Sequence, residues 1–305
     1  MPNLTRPTEF LLLEFSQVYK LQILHFFLFL TIYIVSLTGN LFIVIVVLMN
    51  HRLHSPMYLF LMNLALADIG SISVIVPKSM TNSLMNNRFI SYSECTAQVF
   101  FFLFFEASEY FLLTVMAHDR HVAICNPLQY ETIMNKAACI QMIVIVWLVS
   151  LFYAVLHTSG TFSIKFCSNK VDQFFCEIPK LLKISCSDSY LFEVGVIVFC
   201  GIIIFGCFIF VVTTYVWIFT TVLKIPSVHG REKAIRTCLP HLSVFSLMLF
   251  TGLFVYIRPP SNTSSDLELI FVVIYAILPP VLNPFIYSMR NKEFQNALWN
   301  LYKPW

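Results

Sequence analysis

Three acidic side chains lie inside apolar stretches of the chain, where an ionisable group is unfavourable. Asp68 follows the apolar run that starts at Leu53, and Glu106 and Glu109 lie within the aromatic run FFFLFFEASEYF at 100–111. Acids at mid-depth in a hydrocarbon medium raise the free energy of insertion by several kcal/mol, so their default interpretation is functional. Such groups can share a proton or a small cation if they lie close together.

The depths of Asp68 and Glu109 along their stretches match. At a rise of about 1.5 Å per residue, both lie roughly 16–18 Å from the same membrane edge. On neighbouring helices they would form a joint site for a proton or a cation such as Na⁺. The alternative is that both acids only accept hydrogen bonds from polar neighbours such as Asn40 and Asn283.

Glu106 lies three residues before Glu109, on nearly the same helix face and about 4.5 Å closer to the opposite edge. Two carboxylates this close are not expected to be ionised together in a low-dielectric medium. Two interpretations follow: Glu106 joins the buried acidic site, or it points into a cavity. Aromatic and small walls with one polar group are typical of small-molecule pockets, although some of these Phe residues must face lipid.

Two adjacent charged residues, Asp119 and Arg120, lie at the end of an apolar stretch, within MAHDRHVAIC at 116–125. The pair can form an ion pair while the guanidinium stays near water, and by itself it is typical of a helix end. Pro284 in NPFIY predicts a kinked helix that can swing. Tyr215 and Tyr287 lie near the same edge, within plausible reach of Arg120.

Composition identifies the elements that must position these residues. The 305 residues are 58% hydrophobic and only 11% charged, with a mean hydropathy of +0.78, which excludes an ordinary soluble globular domain. A helix needs roughly 20 residues to cross about 30 Å of hydrocarbon. Windows of that length without Asp, Glu, Lys or Arg occur at 21–51, 137–164, 194–223, 237–257 and 269–289.

Two further stretches, 53–77 and 95–118, contain the acids and complete a set of seven. Period-2 alternation is missing, so helices are predicted and not the strands of a membrane barrel. We therefore expect an all-α membrane protein, a seven-transmembrane helix bundle forming a single domain over 1–305. The predicted spans are 23–49, 57–79, 95–124, 140–159, 193–223, 235–257 and 268–288.

Two segments outside the spans have predicted roles. The long segment 160–192 is expected to be an extracellular loop, and the apolar spacing in 291–300 predicts a short amphipathic helix in the inner interface. The distribution of Lys and Arg barely decides the orientation. The sequons at Asn3 and Asn262 favour an outer N-terminus, with Asn3 the predicted glycosylation site.

Cysteine placement also favours an outer N-terminus, because four cysteines gather on the side that this orientation makes oxidising. Four cysteines allow three pairings, and spacing does not choose among them. The other five are expected to be buried apolar residues, and no zinc spacing is present. The four outer cysteines are Cys95, Cys167, Cys176 and Cys186.

Taken together, these motifs resemble mammalian odorant receptors of the rhodopsin-like, G-protein-coupled class. The resemblance covers essentially the whole chain. It is carried by GN at 39–40, LHSPMYLFLMNLALAD at 53–68, MAHDRHVAIC at 116–125, TTY at 213–215, KAIRTCLPHL at 233–242 and PPVLNPFIYSMRN at 279–291.

The resemblance implies roles for individual residues. It pairs Cys95 with Cys176 and Cys167 with Cys186, and it matches Asp68 and Glu109 to a buried acidic pair. The residues expected to act in activation and G-protein coupling are Asp119, Arg120, Tyr215, Arg236, Asn283, Pro284 and Tyr287. Depth and resemblance together place the ligand between the third, fifth, sixth and seventh spans, with Phe102, Leu103, Glu106, Leu249 and Tyr256 as its contacts.

Several positions depart from the family pattern. His118 and His121 stand where relatives usually have Tyr, and a side chain with an ordinary pKa near 6.5 suggests pH tuning of the neighbouring ion pair as a hypothesis. Leu249 and Phe250 occupy the region of an aromatic Tyr in many relatives. Arg236 replaces a small residue. The acid at Glu106 is also unusual and favours a ligand with a polar or basic group.

The sequence thus predicts an odorant receptor in the plasma membrane, expected in the ciliary membrane of olfactory neurons. Its expected partners are a small, mostly apolar volatile molecule, a stimulatory G protein of the olfactory type that raises cyclic AMP, and membrane lipid. No binding of nucleic acid is expected.

A rhodopsin-like receptor for a non-odorant small molecule or metabolite is the alternative. An ion-coupled transporter would more often have repeated halves and broken helices. An enzyme would need a nucleophile and base at one depth, and no His is expected near Glu106 or Glu109.

Overall fold

Seven long helices make up the body of the protein in a computed structural model. The structure describes residues 7–13, 18–50, 53, 55–85, 87–186, 191–257 and 266–288, without the side chains of 191–192, 233, 256–257 and 266–269. All seven are long and apolar enough to cross a membrane. They are α1 (Tyr19–Met49), α2 (Pro56–Met85), α3 (Tyr92–Cys125), α5 (Lys136–Ser163), α7 (Leu191–Leu223), α8 (Val228–Ile257) and α9 (Asp266–Ser288).

These helices extend beyond most of the predicted bounds, and at the start of α3 and of α5 a capping residue, not the limit of the apolar run, sets the end. Ser91 and Glu94 form a capping box that starts α3, and the Asn135 side chain accepts a hydrogen bond from the Ala138 amide at the start of α5. Both satisfy amides that a first helical turn leaves unpaired. The predicted loop 160–192 needs correction at both ends, because α5 continues to Ser163 and α7 begins at Leu191.

A small sheet at one end of the bundle is a feature that the sequence analysis did not predict. Strand β1 (Glu9–Leu12) lies between β2 (Phe89–Ser91) and β3 (Lys170–Val171). It pairs antiparallel with β2 and parallel with β3. Phe10 is fully buried there, so the N-terminal strand is packed into this end.

Two disulfides secure the same end, which is called the disulfide end below. Cys95 at the start of α3 is bonded to Cys176, and Cys167 is bonded to Cys186. These are the pairings that the resemblance implied. Between the bonded cysteines lies the short helix α6 (Ile178–Lys183). The opposite end, where α3 meets α4 (Tyr130–Ile133), is called the Arg120 end.

The kink proline of α9 is packed directly against α1. Pro284 has no N–H, so the Pro280 carbonyl four residues earlier loses its usual helical donor. Ser36 Oγ donates to that carbonyl at 2.9 Å and Asn40 Nδ2 at 2.8 Å. A Cβ on Gly39 would lie 2.9 Å from Pro284 Cβ, so only glycine permits this approach. Among the described residues, Asn40 therefore donates to the carbonyl that Pro284 leaves unpaired and not to the acids.

The interfacial helix predicted over 291–300 and the sequons at Asn3 and Asn262 lie outside the described residues.

We expect Gly39→Ala to reduce stability by about 1–3 kcal/mol, as overpacking a close helix contact does. The added Cβ would force α1 away from Pro284 and lengthen the Asn40–Pro280 bond. Thermal unfolding of the detergent-purified receptor measures this effect. The matched control is Gly206→Ala, where nothing lies within 4 Å of the added Cβ. Equal melting temperatures for the two variants would contradict the packing argument.

Candidate ligand cavity, acidic cluster and Arg120 end

Asp68, Glu106 and Glu109 lie together in the middle of the bundle. Each is within electrostatic range of at least one of the others, and all three are buried. The seven-helix packing brings α2 and α3 side by side, as the matching depths predicted. Their grouping depends on this packing, since Asp68 and Glu109 are far apart in sequence.

Asn283 of α9 is a hydrogen-bond partner of Asp68. Asn283 Nδ2 lies 3.0 Å from Asp68 Oδ1 and 3.0 Å from Oδ2 and donates to this carboxylate. Neither oxygen of Glu109 has a hydrogen-bond donor among the described residues, unless one of the two acids carries a proton that it shares with the other. Of the polar neighbours considered, Asn283 is therefore bonded to Asp68, and the joint proton or cation site remains a prediction.

Glu106 connects this acidic cluster to a cavity. Its Oε1 accepts a hydrogen bond from Ser71 Oγ at 3.2 Å, and the residue also lines the cavity. Both interpretations of the sequence thus apply to one side chain. Glu106 has one oxygen bonded to α2 and belongs to the wall of a space that a ligand can fill.

The cavity has a volume of about 560 Å³, and its wall is mostly apolar. Side chains of α3, α5, α7, α8 and α9 form it, so the fourth span contributes as well as the four that were predicted. An apolar pocket with a few polar groups is the usual form of a small-molecule site. Its lining includes Leu103, Glu106, Tyr110, Phe111, Tyr153, His157, Ile197, Cys200, Ile204, Phe205, Phe208, Met248, Leu249, Phe250, Leu253 and Tyr275.

The predicted ligand contacts differ in where the structure places them. Leu103, Glu106 and Leu249 line the cavity. Phe102 is not among the lining residues; it packs edge-on against Tyr275, which does line the cavity, and against Phe175. The reason is rotation along α3, because adjacent residues of a helix face directions about 100° apart. Tyr256 lies in α8, but its side chain is outside the described set.

His157 on α5 is a lining residue that the sequence analysis missed. Its Nδ1 lies 2.9 Å from Glu193 Oε1 on α7, and both residues are buried. The sequence analysis expected no His near Glu106, and it did not foresee that His157 lines the same cavity as Glu106. A search limited to Asp, Glu, Lys and Arg passed over a His in an apolar run, although a buried imidazole is also a polar group that needs a partner.

The Arg120 end contains the predicted ion pair and an additional donor. Arg120 Nη2 lies 3.1 Å from Asp119 Oδ2, and its side chain is 16% exposed. The Tyr130 hydroxyl donates to Asp119 Oδ1 at 2.7 Å. Burial and the nearby Asp119 charge raise the pKa of Tyr130 above its ordinary value, so the hydroxyl keeps its proton and remains a donor. Tyr130 was not predicted because it lies in another helix.

Tyr215 takes part in a different contact from the one expected. His241 Nε2 lies 2.6 Å from the Leu113 carbonyl oxygen, which can only accept, so Nε2 carries the proton. His241 Nδ1 is then the acceptor for the Tyr215 hydroxyl at 2.8 Å. This chain of bonds joins α7, α8 and α3. His241 lies in the motif KAIRTCLPHL, but the motif alone did not indicate a role for it.

The remaining predicted activation residues do not form one group. Tyr215 and Tyr287 lie within electrostatic range of Arg120, but the Tyr287 hydroxyl has no hydrogen-bond partner among the described residues. Arg236 is 73% exposed and forms an ion pair with Glu232 one helical turn away.

The two histidines beside the ion pair do not bond to it in the described part of the chain. The His118 ring lies against Phe210, and His121 Nδ1 is buried without a partner there. The pH-tuning hypothesis remains a prediction.

Comparison with a solved structure supports the fold. Squid rhodopsin superposes with a TM-score of 0.76, covering 95% of this chain and 83% of that chain at 17% sequence identity. At this identity the likeness concerns the fold alone, a seven-helix receptor bundle.

Comparison with known sequences gives the family. The olfactory receptor family model matches residues 29–303. Human olfactory receptor 14A16 is 47% identical over 304 residues, covering 99% of this chain and 98% of the relative. Human olfactory receptor 14J1 is 47% identical, with 98% and 93% covered, and gorilla olfactory receptor 1G1 is 42% identical, with 98% and 96% covered. The chain therefore belongs to the olfactory receptor family, multi-pass membrane receptors of the G-protein-coupled class that bind small molecules and are not enzymes.

Proposed function

We propose that this receptor binds small, mostly apolar volatile molecules that enter from the extracellular side, and then activates a stimulatory G protein of the olfactory type. The product of that signal is cyclic AMP. The observation that carries the proposal is the cavity of about 560 Å³ inside the bundle, with a largely apolar wall and few polar groups. Transfer of apolar surface from water into such a wall supplies the main driving force for binding.

The ligand contacts we propose are Leu103, Glu106 and Leu249, with Phe102 acting through Tyr275. The Phe102 ring packs edge-on against the Tyr275 ring, so the size of Phe102 affects where the Tyr275 side of the cavity wall lies. Tyr256 is retained from the sequence as a contact one helical turn beyond Gly252, which lines the cavity.

We place the disulfide end and the N-terminus outside the cell. Disulfides persist on oxidising faces of membranes, and both bonds lie at the end that holds the N-terminal strand. We also propose glycosylation at Asn3, which this orientation places outside the cell. The Arg120 end then faces the cytoplasm, in the plasma membrane and, for a receptor of this family, in the ciliary membrane of olfactory neurons.

In the proposed mechanism the described arrangement is the closed one. The His241–Leu113 bond holds α8 against α3 near the cytoplasmic side, and Asp119 holds Arg120. Ligand binding favours a second arrangement in which α8 moves outward and Arg120 leaves Asp119. Tyr215 and Tyr287 then receive the guanidinium, Pro284 and Asn283 allow α9 to swing, and Arg236 faces the G protein.

We propose that Asp68 and Glu109 share a proton or a sodium ion. Among the described residues, the Asn283 amide is the neutral donor to Asp68, and the neighbouring Glu109 has none. Buried carboxylates without compensation are strongly unfavourable. A proton or a monovalent cation between the two acids removes that penalty.

The function is tested in cells that report cyclic AMP, exposed to a panel of volatile compounds. We expect the wild type to respond to at least one, and Arg120→Ala to lose the response while the purified variant is still stabilised thermally by the same compound. Responses restricted to non-volatile metabolites would favour the alternative receptor class. Volatile binding with a signal only through a G protein that does not raise cyclic AMP would contradict the stimulatory assignment.

For the closed arrangement, we expect His241→Leu to raise basal cyclic AMP. The variant loses the bonds of His241 to Leu113 and to Tyr215. Removing about 1 kcal/mol of preference for the closed arrangement changes the ratio of the two arrangements about fivefold. The measurement is ligand-free signalling normalised to surface expression. His229→Leu, an exposed His on the same helix, is the matched control and should leave basal signalling unchanged. A lower or unaltered basal signal for His241→Leu would contradict the proposed role.

For the acidic site, sodium should raise the melting temperature of the purified receptor relative to choline at equal ionic strength. A ligand that binds only the folded state stabilises by about 2.7 kcal/mol at 100 times its Kd. We expect Asp68→Asn to lose this sodium effect and Asp172→Asn, an acid outside the bundle, to keep it. A wild-type curve that does not respond to sodium would exclude the cation and leave the proton.

A further inference from the structure

The polar groups of the cavity are gathered on one side. Glu106, Tyr153 and His157 line it, the Tyr153 and His157 rings lie 4.5 Å apart, and Tyr153 is within electrostatic range of both Glu106 and Glu193. Apart from Cys200, the side chains that α7 and α8 contribute are aromatic and aliphatic, and aromatic rings from α3 and α9 complete the wall. The cavity is therefore built for a molecule with one polar end and one apolar body.

Of the two acids at this polar side, one already has an ionisable partner. Glu193 is bonded to His157 across α5 and α7 at 2.9 Å, so that acid and imidazole can neutralise each other. Glu106 has no such partner: no Lys, Arg or His of the described residues forms an ion pair with it.

The bonding of Glu106 leaves one oxygen for a ligand. Ser71 occupies Oε1, whereas Oε2 is buried and has no hydrogen-bond donor among the described residues. The charges in its range belong to the other acids, Asp68 and Glu109. A buried carboxyl in this position is stabilised either by a proton or by positive charge from outside the chain.

A multivalent metal ion does not meet this requirement. Within the described residues, no group of three or more His, Cys, Asp or Glu side chains has a geometry that could hold a metal ion. Asp68 and Glu109 do not line the cavity, so a small ion between them leaves the cavity side of Glu106 uncompensated.

We propose that the ligand of this cavity is a small apolar amine whose ammonium group donates to the Glu106 carboxylate. The proposal rests on the proposed function, since it names the ligand class of the same receptor site. The hydrocarbon body of the amine packs against Ile204, Phe208, Met248 and Leu249, and the Ser71 bond holds the carboxylate in place. A charge-assisted hydrogen bond is about twice as strong as a neutral one, so the site selects amines over alcohols of the same shape.

The experiment compares ligand pairs that differ only in the polar group. The probes are 2-phenylethylamine with 2-phenylethanol and cyclohexylamine with cyclohexanol, tested for thermal stabilisation of the purified full-length receptor and for cyclic AMP in cells. We expect the wild type to bind the amine of a pair more tightly. Glu106→Gln should weaken amine binding about 10- to 100-fold, the range for a hydrogen bond to a charged group, and change alcohol binding little.

Two further variants separate charge from structure. Glu106→Asp keeps the charge on a shorter side chain and should retain the preference for amines at reduced affinity. This variant tests the inference even if Glu106→Gln fails to fold. Glu193→Gln removes the neighbouring acid that is already paired with His157. It should not alter the ratio of amine to alcohol affinity.

The outcomes distinguish this inference from the proposed function. Volatile compounds that bind while the wild type shows no preference for amines, or a Glu106→Gln variant that keeps that preference, would overturn the amine assignment and leave odorant reception standing. If no volatile of any class stabilises the receptor or elicits a signal, the proposed function itself is contradicted, and the inference with it.

Discussion

The burial of acidic side chains inside a hydrocarbon-embedded bundle is the constraint on which the rest of this structure depends. Asp68, Glu106 and Glu109 are buried, and a charged group in that position must be neutralised or bonded. Among the described residues, the hydrogen-bond donors to these acids are neutral groups of Ser71 and Asn283. Under the proposed function, a proton or a cation from outside the chain compensates them.

The same rule determines how the helices meet elsewhere in the bundle. The Pro280 carbonyl, which Pro284 cannot pair, receives donors from α1. At the Arg120 end, the buried His241 ring finds its acceptor on α3 and its donor on α7. Because lipid offers no hydrogen bonds, a buried polar group is stabilised by a partner from its own or a neighbouring helix. Contacts of this kind can be exchanged as units, which is what a receptor with two arrangements requires.

Glu106 gives the cavity and the acidic cluster a shared member. It lines the space for the ligand and lies within electrostatic range of Asp68 and Glu109. Charge added at the cavity side of Glu106 therefore acts on the two deeper acids through a low-dielectric interior, where electrostatic interactions are strong.

The sequence by itself determined the seven apolar spans, the matching depth of Asp68 and Glu109 and the ion pair of Asp119 with Arg120, because these follow from hydropathy, helical rise and adjacency. Only the tertiary structure decided that Tyr130 reaches Asp119, that His157 joins Glu193, that β1 enters a sheet and that Phe102 lies behind Tyr275. These contacts depend on the rotation and neighbours of each helix, and a helix that is apolar on nearly all faces does not record in its own sequence which face meets which partner.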